Sequence, residues 1–387
     1  MATQNIYSLV NAGRITAGPG SIETLAELPS GSGAKTVLVI TDQGVLRSGV
    51  VDRPRAILEA AGATVAMIDD TPAEPEAGQV QAICDRAACL DCQMVVGIGG
   101  GSVMDTAKLL SVMLTNKLTV AGLLAKAKIG RRGLPTVLIP TTAGTGSEVT
   151  PNAIVLVPEE ELKVGIVDAK LLPECVILDP AMTVGLPPAV TASTGMDALT
   201  HAIECYTSRK ANPFSDMYAL NAIRLLTGNI RTAFADGQDI DARHGMLLGA
   251  MFAGVCIATS STTAVHALAY PLGGKYRIAH GLSNAVLLPH VMRYNLESAQ
   301  ERFRDIAVAM GIDLGGQSTR RAAERMVESL ESLIRDLKLD ARLRERGITE
   351  KDVDNMVEAA AKVTRLLDNN PRPMPKEAMR EIYRRLL

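Results

Sequence analysis

Between Lys35 and Pro180, short runs of β-branched and aliphatic residues alternate with stretches whose apolar positions recur every three to four residues. Beyond Pro180 the alternation stops and nearly every segment carries the helical period. Lys35-Thr-Val-Leu-Val-Ile-Thr-Asp42, Gln93-Met-Val-Val-Gly-Ile-Gly99, Pro135-Thr-Val-Leu-Ile-Pro140 and Cys175-Val-Ile-Leu-Asp-Pro180 are apolar through their centres, as strands covered on both faces are. With a strand at Ala63–Ile68 and helices near Val45–Ala61, Pro75–Ala88 and Val103–Leu114, they predict a doubly wound sheet. Ile6–Val10 is expected as an edge strand, and Ser21–Leu28 as a short helix with Ser21 as N-cap and Glu23 in its first turn. Asn152–Val157 and Leu162–Val167 predict a hairpin turning through Glu159-Glu160-Glu161. Helices are expected at 189–208, 213–235, 241–259, 282–294, 299–310, 318–336, 349–367 and 375–386.

At 387 residues the chain exceeds the usual size of one core, so the predicted architecture is an α/β domain over residues 1–180 and an all-helical domain over 181–387. Trp is absent and aromatics are 3%, so the cores are built from Ala, Val, Ile, Leu and Met. A net charge of −2 gives no electrostatic reason to expect nucleic acid or an anionic membrane as partner. No apolar run is expected to span a bilayer, and the first residues lack the basic-then-apolar layout of a signal peptide, which predicts a cytoplasmic protein. Cys84, Cys89 and Cys92 have the C-x4-C-x2-C spacing of an iron–sulfur site. They fall where a helix runs into a strand, and are expected to be reduced thiols packing like small apolar residues.

Candidate chemistry appears first at strand ends. Gly97, Gly99, Gly100 and Gly101 with Ser102 form a glycine-rich turn from a strand into a helix, where free N–H groups can seat a pyrophosphate. The spacing is not the ordinary dinucleotide fingerprint, and it follows several strands instead of the first. Asp42 ends its strand, where a carboxylate can accept from an adenosine ribose and repel a 2′-phosphate, or can cap the next helix. Thr141-Thr-Ala-Gly-Thr-Gly-Ser-Glu-Val-Thr150 can hydrogen-bond a nucleotide or be an ordinary surface loop. Lys163 either reaches a cofactor hydroxyl or is a solvated hairpin lysine.

A second concentration lies between Ser193 and Ser283. Asp197 and His201 stand four apart in a helical pattern and so share a face. His266 and His280 add two imidazoles, separated by Pro271 and paired glycines. A single helical histidine is ordinarily a core or surface residue. One carboxylate and three imidazoles without thiolates form a donor set suited to iron(II) or zinc with open positions. His244 has no nearby partner and is read as structural, and Cys205 as packing.

Gly99-Gly-Gly-Ser-Val-Met-Asp-Thr-Ala-Lys108, Pro140-Thr-Thr-Ala-Gly-Thr-Gly-Ser-Glu148, Gly195-Met-Asp-Ala-Leu-Thr-His-Ala-Ile-Glu204 and His280-Gly-Leu-Ser-Asn284 resemble, in that order, the motifs of the iron-containing (group III) alcohol dehydrogenases. The resemblance covers almost the whole chain. It implies an α/β dinucleotide-binding domain, an all-α metal-binding domain and an active site in the cleft between them. It also implies that Asp197, His201, His266 and His280 hold iron(II) or zinc. Asp42, Gly100, Gly101, Ser102, Asp105, Thr141, Thr142 and Lys163 match residues lining the site for NAD, with NADP disfavoured by Asp42. Two positions depart from the family. Tyr270 stands where many members carry a non-ligand histidine implicated in proton transfer, so it either replaces that group as a hydroxyl donor or packs. Glu74 stands where relatives often have Asn.

The activity implied is metal-assisted hydride transfer between a nicotinamide and a small alcohol, diol or hydroxy acid, in a homodimer or larger homo-oligomer. Two other classes compete. A metal- and NAD-using lyase of the dehydroquinate-synthase type needs extra basic residues near the metal, and the stretch offers Lys275 and Arg277. A non-catalytic nucleotide-binding protein has no need of a full ligand set.

Overall fold

The computed structural model describes residues 6–158, 162–339 and 342–387; the expected Glu159–Glu161 turn and the first five residues lie outside them. The strands are β1 Arg14–Ala17, β2 Thr36–Ile40, β3 Thr64–Ile68, β4 Met94–Gly99, β5 Thr136–Pro140, β6 Asn152–Val157, β7 Leu162–Val167 and β8 Cys175–Leu178. Six of them form one sheet in the order β1-β8-β5-β4-β2-β3, parallel throughout, and β6 and β7 form an antiparallel hairpin. The helices are α1 Glu27–Ser32, α2 Gln43–Ser48, α3 Asp52–Ala60, α4 Ala77–Ala87, α5 Gly101–Asn116, α6 Val120–Leu124, α7 Pro188–Thr207 and α8 Pro213–Ala235. They continue with α9 Ile240–Thr259, α10 Ala264–Gly274, α11 His280–Asn295, α12 Gln300–Ala309, α13 Thr319–Asp336, α14 Glu350–Ala361, α15 Thr364–Leu367 and α16 Lys376–Leu386.

The chain divides into two compact units, Asn11–Leu186 with Gly237–Leu248, and Pro187–Asp236 with Gly249–Leu387 and the segment through Val10. In the first, successive side chains of β2 point to opposite faces. Leu38 and Ile40 join a core with Val80 and Ile83 of α4 and Met104 and Leu109 of α5. Val37 and Val39 join another with Leu25 and with Ile57 and Leu58 of α3. Apolar side chains are therefore needed at every position of the central strands, which is why they lack alternation. In the second unit α7 packs on α8 and α11, and α10 on α11 and α14.

Several expectations are corrected. Ile6–Val10 is not a strand; the edge is β1, which pairs with β8, and Gly13 enters it where a Cβ would stand 2.6 Å from Glu174 O. Ser21 opens a 3₁₀ turn over Ser21–Ala26 behind left-handed Gly20 and caps nothing. The helix expected over Val45–Ala61 is two, because Gly49 takes φ 74° and closes α2. The segment carrying His266 and Pro271 is helical as α10, although a proline and paired glycines argue against it. Tertiary contacts prevail there: Leu268 and Leu272 are fully buried, and the Tyr383 hydroxyl of α16 donates to Leu268 O at 2.7 Å in the turn the proline disturbs. By length and composition α9 does reach the dimensions of a membrane span, but 67% of that stretch is buried inside the protein.

The glycines of the β4–α5 junction serve packing. A Cβ on Gly97 would meet Ala107 Cβ and Leu138 Cδ2 at 2.9 Å, and one on Gly99 would meet Val103 Cγ2 at 2.6 Å. Gly99→Ala is expected to lower stability by about 1–3 kcal/mol through overpacking. Urea unfolding should show the loss and its partial recovery in the Gly99→Ala, Val103→Ala double variant; equal stability of the single variant and the parent protein contradicts this packing.

Candidate metal and dinucleotide sites

In the helical unit, α7 supplies Asp197 and His201 one turn apart, α10 supplies His266 in its first turn, and α11 begins at His280. The start of α11 lies directly on the α7 backbone, since a Cβ on Gly281 would fall 2.1 Å from Ser193 O and 3.4 Å from Asp197 Cβ. Only glycine permits that approach, and it carries the neighbouring His280 to Asp197. The four ligand atoms lie within 4.8 Å of one another, the one such His, Cys, Asp or Glu group among the described residues. Asp197 Oδ1 is 3.8 Å from His201 Nε2, 3.9 Å from His266 Nε2 and 3.6 Å from His280 Nε2. A first-row ion bonded at about 2.1 Å holds tetrahedral donors roughly 3.4 Å apart, so the Asp197–imidazole distances lie close to that spacing, and the widest separation must close by more than 1 Å around such an ion.

Two further residues organise this set. Glu204, two turns after Asp197 on α7, is fully buried. Its Oε1 accepts from Thr263 Oγ1 at 2.6 Å and Val265 N at 2.7 Å, satisfying a first-turn N–H of α10 that no side chain of α10's own N-cap reaches. Its Oε2 takes His266 Nδ1 at 2.5 Å. With the proton held on Nδ1, the Nε2 lone pair of His266 is free to point at an ion. Asn284, one turn into α11, places Nδ2 2.7 Å from Asp197 Oδ1 and 3.2 Å from Nε2 of both His266 and His280, while its Oδ1 is buried without a partner. An amide donor thus faces the point where the ligand lone pairs converge, which is the place a cation suits.

Burial by itself would raise the Asp197 carboxyl, but His201, His280, His266 and the Asn284 amide outweigh it and hold it at about 2. Burial likewise opposes ionisation of Glu204, and His266 and Thr263 override it, so its carboxyl too is lowered. The Tyr270 ring centroid lies 6.5 Å from that of His280, and its hydroxyl accepts from Arg365 Nη2 at 3.1 Å. Burial pushes the Tyr270 hydroxyl up, against the opposing pull of Arg365. Lys275 and Arg277 are exposed, with Lys275 over the ring of Tyr276.

In the α/β unit the strand order reverses between β2 and β4, because β2 leads outward to β3 and the chain then returns to β4 on the other side. The carboxyl ends flanking that switch point carry Asp42 and Gly100–Ser102, with Thr141 and Thr142 following β5. Asp42 is the N-cap of α2, its Oδ1 accepting from Gly44 N at 2.7 Å and Val45 N at 3.0 Å, which leaves Oδ2 for another donor. Gly100 is the N-cap of α5 and makes no side-chain cap. Ser102 Oγ accepts from Glu74 N at 3.0 Å, and Glu74 Oε1 pairs with Lys163 Nζ at 2.7 Å. Glu74 takes φ 52°, a conformation Asn adopts at lower cost.

Asp105 is occupied within the protein. Oδ1 accepts from Ser147 Oγ and lies 2.9 Å from Lys108 Nζ, and Oδ2 takes Ile154 N at 2.9 Å. Buried Lys108 also donates to the carbonyls of Ser147, Thr150 and Asn152. This network holds the Thr141–Thr150 loop and the hairpin against α5. Within the loop, burial pushes the Glu148 carboxyl up to about 7, with Lys108 opposing.

Glu204 and Asn284 both stand inside the sequence motifs, at i+7 from Asp197 and i+4 from His280, and that same-face spacing is the signal that could have found them. Arg365 has no sequence signal. Glu204→Gln is expected to weaken metal retention about 10- to 100-fold, since an amide nitrogen cannot accept from His266 or Val265. Chelator competition measures it; unchanged affinity in a folded variant excludes this role.

A family model described as iron-containing alcohol dehydrogenase matches residues 12–180, and one described as the C-terminal part of the Fe-containing alcohol dehydrogenase family matches 191–387. The chain is 40% identical over 371 residues to long-chain-alcohol dehydrogenase 1 of Geobacillus thermodenitrificans, covering 95% of this chain and 93% of that one. The crystal structure of a 1,3-propanediol oxidoreductase superposes with a TM-score of 0.92 at 35% identity, over 99% of this chain and 100% of the other. The sulfoacetaldehyde reductase of Bifidobacterium kashiwanohense, solved in complex with NAD+, superposes with a TM-score of 0.87 at 26% identity, over 99% of each chain.

Proposed function

The chain belongs to the iron-containing alcohol dehydrogenases, and from that premise we propose its resident metal, its dinucleotide, its substrates and the task of each residue. It is an NAD-linked, metal-dependent alcohol dehydrogenase, an oxidoreductase acting on CH–OH groups. The observation that carries the proposal is the convergence of Asp197, His201, His266 and His280 from three helices on one point. One carboxylate and three imidazoles suit iron(II), which we assign, with zinc as the substitute. When bound, the ion supplies Lewis acidity worth several kcal/mol at the substrate oxygen, and the nicotinamide is the acceptor for the hydride leaving the carbinol carbon.

The chain's own residues do the remaining work. Asp197 contributes the single negative charge of the ligand set, Glu204 fixes the His266 tautomer and Asn284 orients Asp197. The Tyr270 oxygen accepts from Arg365, so its own hydrogen is free to be donated. Kept neutral by burial, this hydroxyl serves to pass the substrate proton where many relatives use histidine. The N–H groups of Gly100, Gly101 and Ser102 hold the pyrophosphate, with Thr141 and Thr142 lining the dinucleotide site and Lys163 reaching a cofactor hydroxyl. Asp105 acts by holding the loop in place. The open Oδ2 of Asp42 accepts from the ribose and repels a 2′-phosphate, which favours NAD over NADP, in keeping with the NAD+ bound by the Bifidobacterium relative.

Substrates are short alcohols, diols or hydroxy acids and the matching aldehydes. We place the enzyme in the cytoplasm, where its six thiols stay reduced, as a homodimer or larger assembly; exposed Phe214 and Met217, one turn apart on α8, offer an apolar contact. After reconstitution with iron(II) or zinc, a panel of such alcohols with NAD and NADP should give NADH production. His266→Ala should abolish both tight metal retention and turnover, and undiminished rates in the metal-free variant defeat the assignment. Asp42→Ala should raise the NADP-to-NAD ratio of kcat/KM about 10-fold or more; an unchanged ratio removes Asp42 from ribose recognition.

A further inference from the structure

Arg365 lies on the short helix α15, remote in sequence from every metal ligand, yet its Nη2 donates to the hydroxyl of Tyr270 at 3.1 Å. Tyr270 follows His266 by one turn of α10, and its ring stands 6.5 Å from the ring of His280. The guanidinium therefore sits one hydrogen bond beyond the side chain we assign to proton transfer, whose ring neighbours that of His280. Arginine carries five N–H donors in a planar fork, and the tyrosine oxygen uses one. Among the described residues no carboxylate lies within ion-pair distance of Arg365. In the same unit Arg293 and Arg302, by contrast, spend their forks on Glu331 and Asp216. An exposed arginine needs no partner, but one anchored to a phenol beside a metal cluster is a cation held in place with its donors unspent.

Resting on the dehydrogenase reading above, we propose that Arg365 is the specificity-determining residue of the substrate site, and that it binds the carboxylate of a short hydroxy acid or semialdehyde whose other end is at the metal cluster. The fork accepts a carboxylate with two parallel N–H···O bonds, and the negative tail is drawn to a positive group that the phenol of Tyr270 holds in place. A neutral diol of equal chain length offers a hydroxyl there, which gains a single weaker hydrogen bond. The contact with Tyr270 couples recognition to position, because an acid seated on Arg365 lies along the phenol.

The test uses the iron-reconstituted full-length enzyme with NAD and pairs matched in length, 3-hydroxypropionate against 1,3-propanediol and 4-hydroxybutyrate against 1,4-butanediol. Wild type is expected to favour the acid of at least one pair. Arg365→Met should lower the acid-to-diol ratio of kcat/KM about 100-fold, chiefly through KM, with Arg365→Lys recovering part of it. Binding of the redox-inert carboxylate butyrate, followed by calorimetry on the same proteins, should weaken in parallel. Turnover of diols with no preference for acids and an unchanged ratio in Arg365→Met overturns the carboxylate site and leaves the dehydrogenase standing. An equal loss on acid and diol marks Arg365 as structural and overturns it as well. Arg365-dependent butyrate binding without turnover of any alcohol supports the carboxylate site and defeats the dehydrogenase reading.

Discussion

Glu204 is fully buried, and an isolated carboxylate in such a place would be strongly destabilising. It is held there by three donors, two of them at the start of α10 and one the imidazole of His266. The same charge therefore does two tasks. It satisfies the opening turn of α10, where an anion is favoured by the helix dipole, and it fixes which nitrogen of His266 is left bare. Without the first contact α10 would have no reason to begin at Ala264. Without the second, His266 could turn its protonated nitrogen toward the ligand cluster.

The same economy appears at the other ligands. Gly281 lets α11 touch the α7 backbone, so His280 reaches Asp197 from a helix end, and Asn284 a turn later closes on the same oxygen. Two of the three helices supply both candidate ligands and a residue that positions another: α7 gives Asp197, His201 and Glu204, and α11 gives His280 and Asn284, while α10 gives His266 and Tyr270. Side chains placed this way are held on their supporting side by Glu204 and Asn284.

In the α/β unit, rigidity comes from the Asp105–Lys108 pair, whose bonds to Ser147, Thr150, Asn152 and Ile154 tie a long loop and a hairpin to α5. A buried ion pair is weak as a source of stability, and its value here is geometric. It fixes the loop that begins at Thr141 and Thr142, beside the open helix start at Gly100. Gly97 and Gly99 serve the packing of α5 on β4, so those two members of the glycine run answer a demand of packing.

Much of this was legible in the residue pattern, for physical reasons that can be stated. Strands covered on both faces need unbroken apolar runs, so β2, β4, β5 and β8 announce themselves; helices with one buried face carry the 3.6-residue period, so α8 and α13 were placed to within a residue or two, as was α7, although that helix is buried all round from Gly195 to Thr207. Asp197 and His201 were readable as a pair because helix geometry alone puts them on one face. What local pattern cannot encode is contact between distant segments. The helicity of α10 in spite of Pro271 depends on burial and on Tyr383, and the true edge strand on pairing with β8. The sequence by itself determined the fold class and the identity of the donor atoms, since period and side-chain chemistry are local properties. Only tertiary structure decided that Glu204 directs His266, that Glu74 neutralises Lys163 and that Arg365 meets Tyr270, because each is an encounter between residues 62, 89 and 95 positions apart, which no spacing along the chain records.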